Sequence, residues 1–380
     1  MLNLLFASVV HCYVGCGGGS PDRQALHVLA CDTETGAAKI VQSVKGVQGT
    51  NYGAIDANGR YLYSYVSEER GDAKATAVVR FPLQTNGRLG ACARVTGLPC
   101  RTPCHVALSP DGRFCSFAVY GQGVSGVIPL ADFEKNRTQG MTPPVSVDTL
   151  PDDAMGPDRA RQEKAHAHCT FYTPDAKLMG VIDLGCDRIV FFRPEAMQRP
   201  PVLTLTSDPG DGPRHAIWSK DNRFLFVINE LGNSVTSFAF DGKSFSRVGK
   251  WTTLPPGRDM KSLAPFSGGM TAPKASAIKL TADGKLLMAS NRGYDSIAFF
   301  DVDTSAGTLK HRRDAKLGGS FPRDFELMPG ERFMVVGYEL SNKIEICRFD
   351  RAACTLEPVG EPIAAWQPIY FTFNERETVR

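Results

Sequence analysis

One pattern recurs six times along this chain of 380 residues. Each copy reads as a short apolar strand, a turn of the Pro-Asp-Gly type, a second apolar strand, a small polar loop and a third strand. The turns are Ala57-Asn58-Gly59, Pro110-Asp111-Gly112, Pro174-Asp175-Ala176, Lys220-Asp221-Asn222, Ala282-Asp283-Gly284 and Pro329-Gly330-Glu331. Their middle residues stand 53, 64, 46, 62 and 47 positions apart. The unit is therefore about 46 residues plus insertions, near the ~40–50 residue period of propeller blades. Second strands such as Arg223–Asn229 and Arg332–Tyr338 are almost continuously apolar, as strands covered on both faces must be. Third strands such as Asp295–Asp301 alternate more.

Both chain ends are left over. The N-terminus offers strands near Cys12–Gly15, Ala25–Cys31 and Lys39–Val44, and the C-terminus offers Pro368–Phe373. Together they make one more blade, and sharing it between the termini removes an exposed sheet edge. The expectation is an all-β, seven-bladed β-propeller spanning 1–380 as one domain. The two long intervals place extra residues in 132–165 and 251–274, as surface insertions over one channel mouth; loops on a rigid scaffold often form substrate walls.

Composition narrows the partners. With 43 Lys and Arg against 40 Asp and Glu, the charge is too balanced for a nucleic-acid or anionic-membrane binder. With 42% hydrophobic residues, a chain this long buries roughly 75% of its unfolded surface; it needs no metal or disulfide to fold. The 11 cysteines are odd in number and scattered, which reads as free thiols in a reducing, cytoplasmic compartment. Leu4–Val10 resembles the apolar core of a signal peptide but has no basic residue before it, so export after cleavage is the lesser alternative to a first strand. Oligomeric state is left open.

Gly121, Gly123 and Gly126 spell a dinucleotide-binding G-x-G-x-x-G, yet that motif must open a helix. Val127, Ile128 and Pro129 follow it, which is strand-like, so these glycines read as the loop between two strands of a blade.

In a blade the start of the first strand and the end of the second share one face. Counting six residues back from each turn gives Asn51, Cys104, His168, Arg214, Ser276 and Arg323. Nine forward gives Ser67, Tyr120, Leu184, Glu230, Arg292 and Glu339. The rim is thus rich in ionisable groups, which suits either catalysis or ion pairs that tie blades together. His166 and His168, two apart in a strand, should point the same way. The chain nevertheless has no H-E-x-x-H and no Cys/His group at zinc spacing, so no metal and no other cofactor is expected. His105 and His215 follow rim positions and read as structural; His215 is also a candidate for substrate contact.

Gly212-Pro213-Arg214-His215, Val227-Ile228-Asn229-Glu230-Leu231, Ser290-Asn291-Arg292-Gly293 and His166-Ala167-His168 resemble the seven-bladed lactonase family. That family includes the propeller-type 6-phosphogluconolactonases and their relative, the carboxy-cis,cis-muconate cyclising enzyme. The resemblance implies a catalytic set of His168, Arg214, Glu230 and Arg292, the positions reached independently by counting. It implies a hydrolase of carbohydrate metabolism that opens 6-phosphogluconolactone, a pentose phosphate step, and whose partner is a small anionic lactone. Glu230 or His168 would be the base, and Arg214 and Arg292 the oxyanion donors. Arg323, Glu339, Tyr120 and His215 would contact substrate, with Arg323 suited to a phosphate or carboxylate. No G-x-S-x-G occurs, so direct water attack is expected rather than a serine ester. The alternatives are a cycloisomerase closing a carboxylated muconate and a non-catalytic binding scaffold.

Overall fold

The six turns share one backbone geometry. In a computed structural model of the chain, the third residue of each turn has positive φ: Gly59, Gly112, Ala176, Asn222, Gly284 and Glu331 lie between 55° and 71°. Its amide donates to the carbonyl three positions earlier, as from Gly112 to Ser109 at 2.9 Å and from Gly284 to Thr281 at 2.8 Å. In four turns a hydroxyl begins the reversal and donates to the Asp two residues on: Ser109 to Asp111, Thr173 to Asp175, Ser219 to Asp221 and Thr281 to Asp283, at 2.6–2.7 Å. Such local bonds compete with strand continuation, so the chain reverses at the same point of each repeat.

The structure describes the chain except residues 1–8, 18–24, 46, 48, 51, 71–72, 96–97, 99, 101, 132, 134–145, 198–200, 259 and 375–380. The described strands form seven antiparallel sheets. Blade one holds Val9–Cys16, Leu26–Asp32, Ala38–Ser43 and Pro368–Phe373; blade two holds Gly53–Ile55, Tyr61–Arg70, Ala73–Pro82 and Ala93–Val95. Blade three holds His105–Leu108, Phe114–Val119, Val124–Pro129 and Ser146–Thr149; blade four holds Ala167–Tyr172, Met179–Asp183, Arg188–Phe192 and Leu203–Thr206. Blade five holds Pro213–Trp218, Phe224–Asn229, Ser234–Phe240 and Phe245–Thr252; blade six holds Lys274–Leu280, Leu286–Arg292, Ser296–Asp303 and Thr308–Lys316. Blade seven holds Pro322–Leu327, Phe333–Tyr338, Lys343–Asp350 and Thr355–Pro358, with Ile363–Ala364 added to its third strand.

The chain ends share a blade, as expected. Val9–Cys16 pairs antiparallel with Pro368–Phe373, Cys12 opposite Phe373 and Val14 opposite Phe371. Two compact units divide the chain. One comprises Met1–Leu98, Ala131–Thr142 and Asp324–Arg380; the other comprises Pro99–Leu130 and Pro143–Arg323. The first carries blades one, two and seven. The second carries blades three to six.

Burial explains the unbroken apolar second strands. In blade five, Phe224, Phe226 and Ile228 pack with Leu287, Ala289 and Phe300 of blade six. The alternate residues Leu225 and Val227 pack with Phe171, Ile182 and Phe191 of blade four. Each such side chain contributes roughly 1.5–3 kcal/mol on leaving water, and both faces are filled.

All eleven cysteines are free thiols. Among the described residues no helix is long and apolar enough to cross a membrane. Of the apolar N-terminal run, Val9 and Val10 open the first strand, while 1–8 lie outside the described residues. The glycine motif opens no helix. Tyr120–Gln122 is a single 3-10 turn ended by Gly123 at φ 62°, and the strand Val124–Pro129 follows. Gly126 belongs to that strand rather than to the loop.

Candidate active site

Two of the expected residues owe their direction to an irregularity that periodicity does not reveal. In blade four Ala167 pairs with Asp183 and Cys169 with Ile182, so His168 is an extra residue in the first strand. In blade five Pro213 pairs with Asn229 and His215 with Ile228, which makes Arg214 the extra residue. Blade six slips in the same place, between Ala275 and Ile278. A β-bulge bends its strand and re-aims the bulged side chain. For this reason His166 and His168 do not act as an i, i+2 pair. His166 precedes the strand, stacks on Tyr120 at 4.2 Å and bonds the Tyr120 carbonyl through Nδ1 at 3.0 Å.

The backbone leading into Arg214 is held by Asp187, whose carboxylate accepts from the amides of Gly210 and Gly212, both at 2.7 Å. Gly212 has φ 56°, and a Cβ there would sit 2.6 Å from Leu231 Cγ. On the second strands a buried amide stands just before the rim residue. Asn229, before Glu230, donates to Ser234 and Thr236 at 2.9 and 3.0 Å. Asn291, before Arg292, donates to the Thr253 carbonyl at 2.6 Å.

Glu230 is the centre of the cluster. Its Oε2 lies 3.0 Å from Arg214 Nε and 2.8 Å from Arg292 Nη2. Its Oε1 lies 2.6 Å from Arg161 Nη2, which also donates to the Tyr120 hydroxyl at 3.2 Å. Burial by itself would raise the carboxyl pKa, but Arg292, Arg161 and Arg214 outweigh it and hold Glu230 well below the usual range. The guanidiniums are tied in turn. Arg214 Nη1 donates to the Ser276 carbonyl at 2.9 Å, and Arg292 Nη2 to that of Ala275 at 3.1 Å.

His168 Nε2 lies 4.0 Å from Glu230 Oε2. Its Nδ1 is buried and has no hydrogen-bond partner among the described residues. Desolvation first, then the charge of Arg214, pushes His168 well below the ordinary histidine value, so the imidazole is neutral at physiological pH. The ring meets His215 edge-on at 5.2 Å, and His215 meets His105 at 5.3 Å. His215 is lowered by the same causes, and His105 is pushed down to about 3 by burial and then Arg214. Three neutral imidazoles from the first strands of three blades thus adjoin Arg214. Among the described residues no three His, Cys, Asp or Glu side chains are arranged to hold a metal ion.

The other expected residues fall as follows. Tyr120 is joined to the cluster through Arg161. The Arg323 carbonyl accepts from Ser276 Oγ at 2.6 Å, and the Arg323 charge acts on His168 and Cys104. Leu184 is buried, its carbonyl accepting from Gln162. Glu339 follows the strand Phe333–Tyr338 and belongs to the first unit. Asn51 and the Ser67 side chain lie outside the described residues.

Counting missed two residues. Arg161 sits in the first insertion, where no repeat register exists. Lys274 begins the first strand of blade six, directly opposite Arg292, two residues before the rim position Ser276. The second insertion also adjoins the site, the amide of Ser267 donating to the Gly293 carbonyl beside Arg292 at 2.9 Å.

Residues 11–373 match the family model for the lactonase, 7-bladed beta-propeller family. The chain belongs to that family. Among solved structures of similar shape, the periplasmic gluconolactonase of Pseudomonas aeruginosa is 25% identical, with a TM-score of 0.81 over 96% of this chain and 99% of the other. A Bacteroides fragilis protein described as a candidate 6-phosphogluconolactonase is also 25% identical, with a TM-score of 0.79 over 97% of this chain and 99% of its own. An uncharacterised protein of Staphylococcus saprophyticus is 28% identical over 83% of this chain and 85% of its own length. This lactonase-family member is a seven-bladed β-propeller.

Proposed function

We propose that this chain hydrolyses an anionic sugar lactone, 6-phosphogluconolactone in the first instance, by direct attack of water. The observation that supports this best is the neutral, uncommitted His168 4.0 Å from a carboxylate that binds Arg214 and Arg292. That places a proton acceptor beside two fixed cationic donors, as opening an ester with water requires.

His168 takes a proton from water as its oxygen attacks the lactone carbonyl carbon. The carbonyl oxygen gains negative charge, which Arg214 and Arg292 stabilise; one such donor in a dry site is worth about 3 kcal/mol. The ring C–O bond then breaks, and the leaving oxygen takes the proton from the imidazolium, giving the open hydroxy acid. Of the two bases suggested by the sequence, His168 fits this role. Glu230 has both oxygens bound by guanidiniums and is held ionised, so its part is to fix and orient the cations. Tyr120, His215 and Arg323 contact the substrate.

Anionic character follows from charge. Arg161, Arg214, Arg292, Arg323 and Lys274 surround or act on a centre whose buried carboxylate is Glu230. The similarity to a gluconolactonase and to a protein described as a candidate 6-phosphogluconolactonase supports the lactone. The test is a panel of phosphorylated and plain sugar lactones and a carboxylated muconate. Acceleration of lactone opening that is lost in His168→Gln supports the proposal; closure of the muconate alone would replace it with the cycloisomerase.

A further inference from the structure

We propose that Arg161 and Lys274 form a second anion-binding corner, distinct from the Arg214–Arg292 pair, which takes a phosphate-monoester dianion carried by the substrate away from its reacting carbonyl. The inference rests on the lactonase reading for the identity of the substrate, but not for the existence of the corner.

Arg161 is anchored at one end. A single nitrogen, Nη2, makes both its bonds, to Glu230 Oε1 at 2.6 Å and to Tyr120 at 3.2 Å. Its Nε and Nη1 hydrogens have no acceptor among the described residues, and the side chain is 27% exposed. The guanidinium is thus held in place by one nitrogen, with the Nε and Nη1 donors left to hydrogen-bond the oxygens of an arriving oxyanion singly.

Lys274 comes to the same cluster from blade six. Facing residues of an antiparallel pair project side by side, and Lys274 faces Arg292, whose guanidinium reaches Glu230. The neighbouring Ala275 amide donates to the Glu230 carbonyl at 3.1 Å, which fixes the strand against the site. The Lys274 ammonium makes no hydrogen bond or ion pair among the described residues. Desolvation first and then Arg161 lower its pKa, and Glu230 only partly restores it. Asp158 also acts to raise it, yet Lys274 makes no ion pair with either carboxylate among the described residues, and an ammonium beside Arg161 and Arg292 with its donors unengaged favours an arriving anion. Arg214 and Arg292, by contrast, spend donors on Glu230 and on backbone carbonyls. Lys274 differs from all three guanidiniums in having no donor engaged among the described residues.

The direct test titrates inorganic phosphate into the full chain by calorimetry. Wild type should bind it, Arg161→Gln and Lys274→Met should each weaken binding about tenfold, and Lys274→Arg should recover most of the loss, since the charge is kept. Arg161→Gln also removes a Glu230 partner; if it fails to fold, Lys274→Met carries the test. No phosphate binding by wild type, or equal binding by folded Lys274→Met, overturns the corner.

Kinetics separates this from the lactonase reading. The preference for a phosphorylated over a plain sugar lactone, as a ratio of kcat/KM, should fall about tenfold in Lys274→Met, through KM rather than kcat. An unchanged ratio overturns the proposal. If no lactone is opened at all, the lactonase reading fails and the phosphate titration alone decides the corner.

Discussion

Arg161 Nη2 lies 2.6 Å from Glu230 Oε1, across 69 positions of the chain. One carboxylate therefore serves three guanidiniums, two on its other oxygen. Glu230→Gln leaves those cations in one another's field with their shared anion removed. The expected cost is about 3–5 kcal/mol of folding stability, the range for breaking a buried ion pair. Urea unfolding of the variant checks it, and a loss below about 1 kcal/mol would contradict the pairing.

Acid should weaken the fold earlier than carboxylates alone would allow. His105 is held down to about 3, against about 6.5 in an unfolded chain. Between those values the unfolded chain binds a proton that the folded chain does not, so stability falls with falling pH by up to ~1.4 kcal/mol per unit. His168 and His215 shift in the same direction and add to the slope. Glu230, shifted below its ordinary value, is stabilising above about 4.5 and adds a further loss as pH falls through its lowered value. Denaturant midpoints at pH 7.5, 6 and 5 should show the decline, and His105→Gln should flatten it.

The pH profile of catalysis follows from the same shift. With His168 already unprotonated well below the usual histidine value, kcat/KM for a plain sugar lactone, which has no phosphate to titrate, should show no ionisation near about 6.5. It should fall only at more acid pH. His168→Gln should lower kcat by about 10²–10⁴, the usual contribution of a general base. A clear inflection near 6.5 would show that His168 is not buried as described.

Gly212 sets the entry to Arg214. Its φ of 56° and the 2.6 Å approach to Leu231 make Gly212→Ala costly in backbone strain, by about 1–3 kcal/mol. Unfolding measurements should find that loss, and kcat should drop with it because Arg214 follows two residues later.

Much of this was legible in the sequence. The Ser/Thr-x-Asp turns repeat because their hydrogen bonds are local, so spacing located every one. Phe224–Asn229 could be read as buried on both faces from its composition alone. The rim positions His168, Arg214, Glu230 and Arg292 came from the same register, and the structure brings those four together. What counting could not reach lies outside the register. Arg161 comes from an insertion, and only its long-range pairing with Glu230 identifies it. The bulges at His168 and Arg214 add one residue without any distinctive side chain, so the i, i+2 rule misdirected the reading of His166. The state of Glu230 depends on three arginines from distant segments, which no local pattern encodes.

We propose that the Glu230-centred cluster opens a lactone. The most direct measurement follows 6-phosphogluconolactone by NMR with and without the full chain, beside His168→Gln. The open acid should form faster than in buffer, with that gain reduced at least about a hundredfold in the folded variant. Equal rates with wild type and in buffer, for this lactone and for plain sugar lactones, would contradict it.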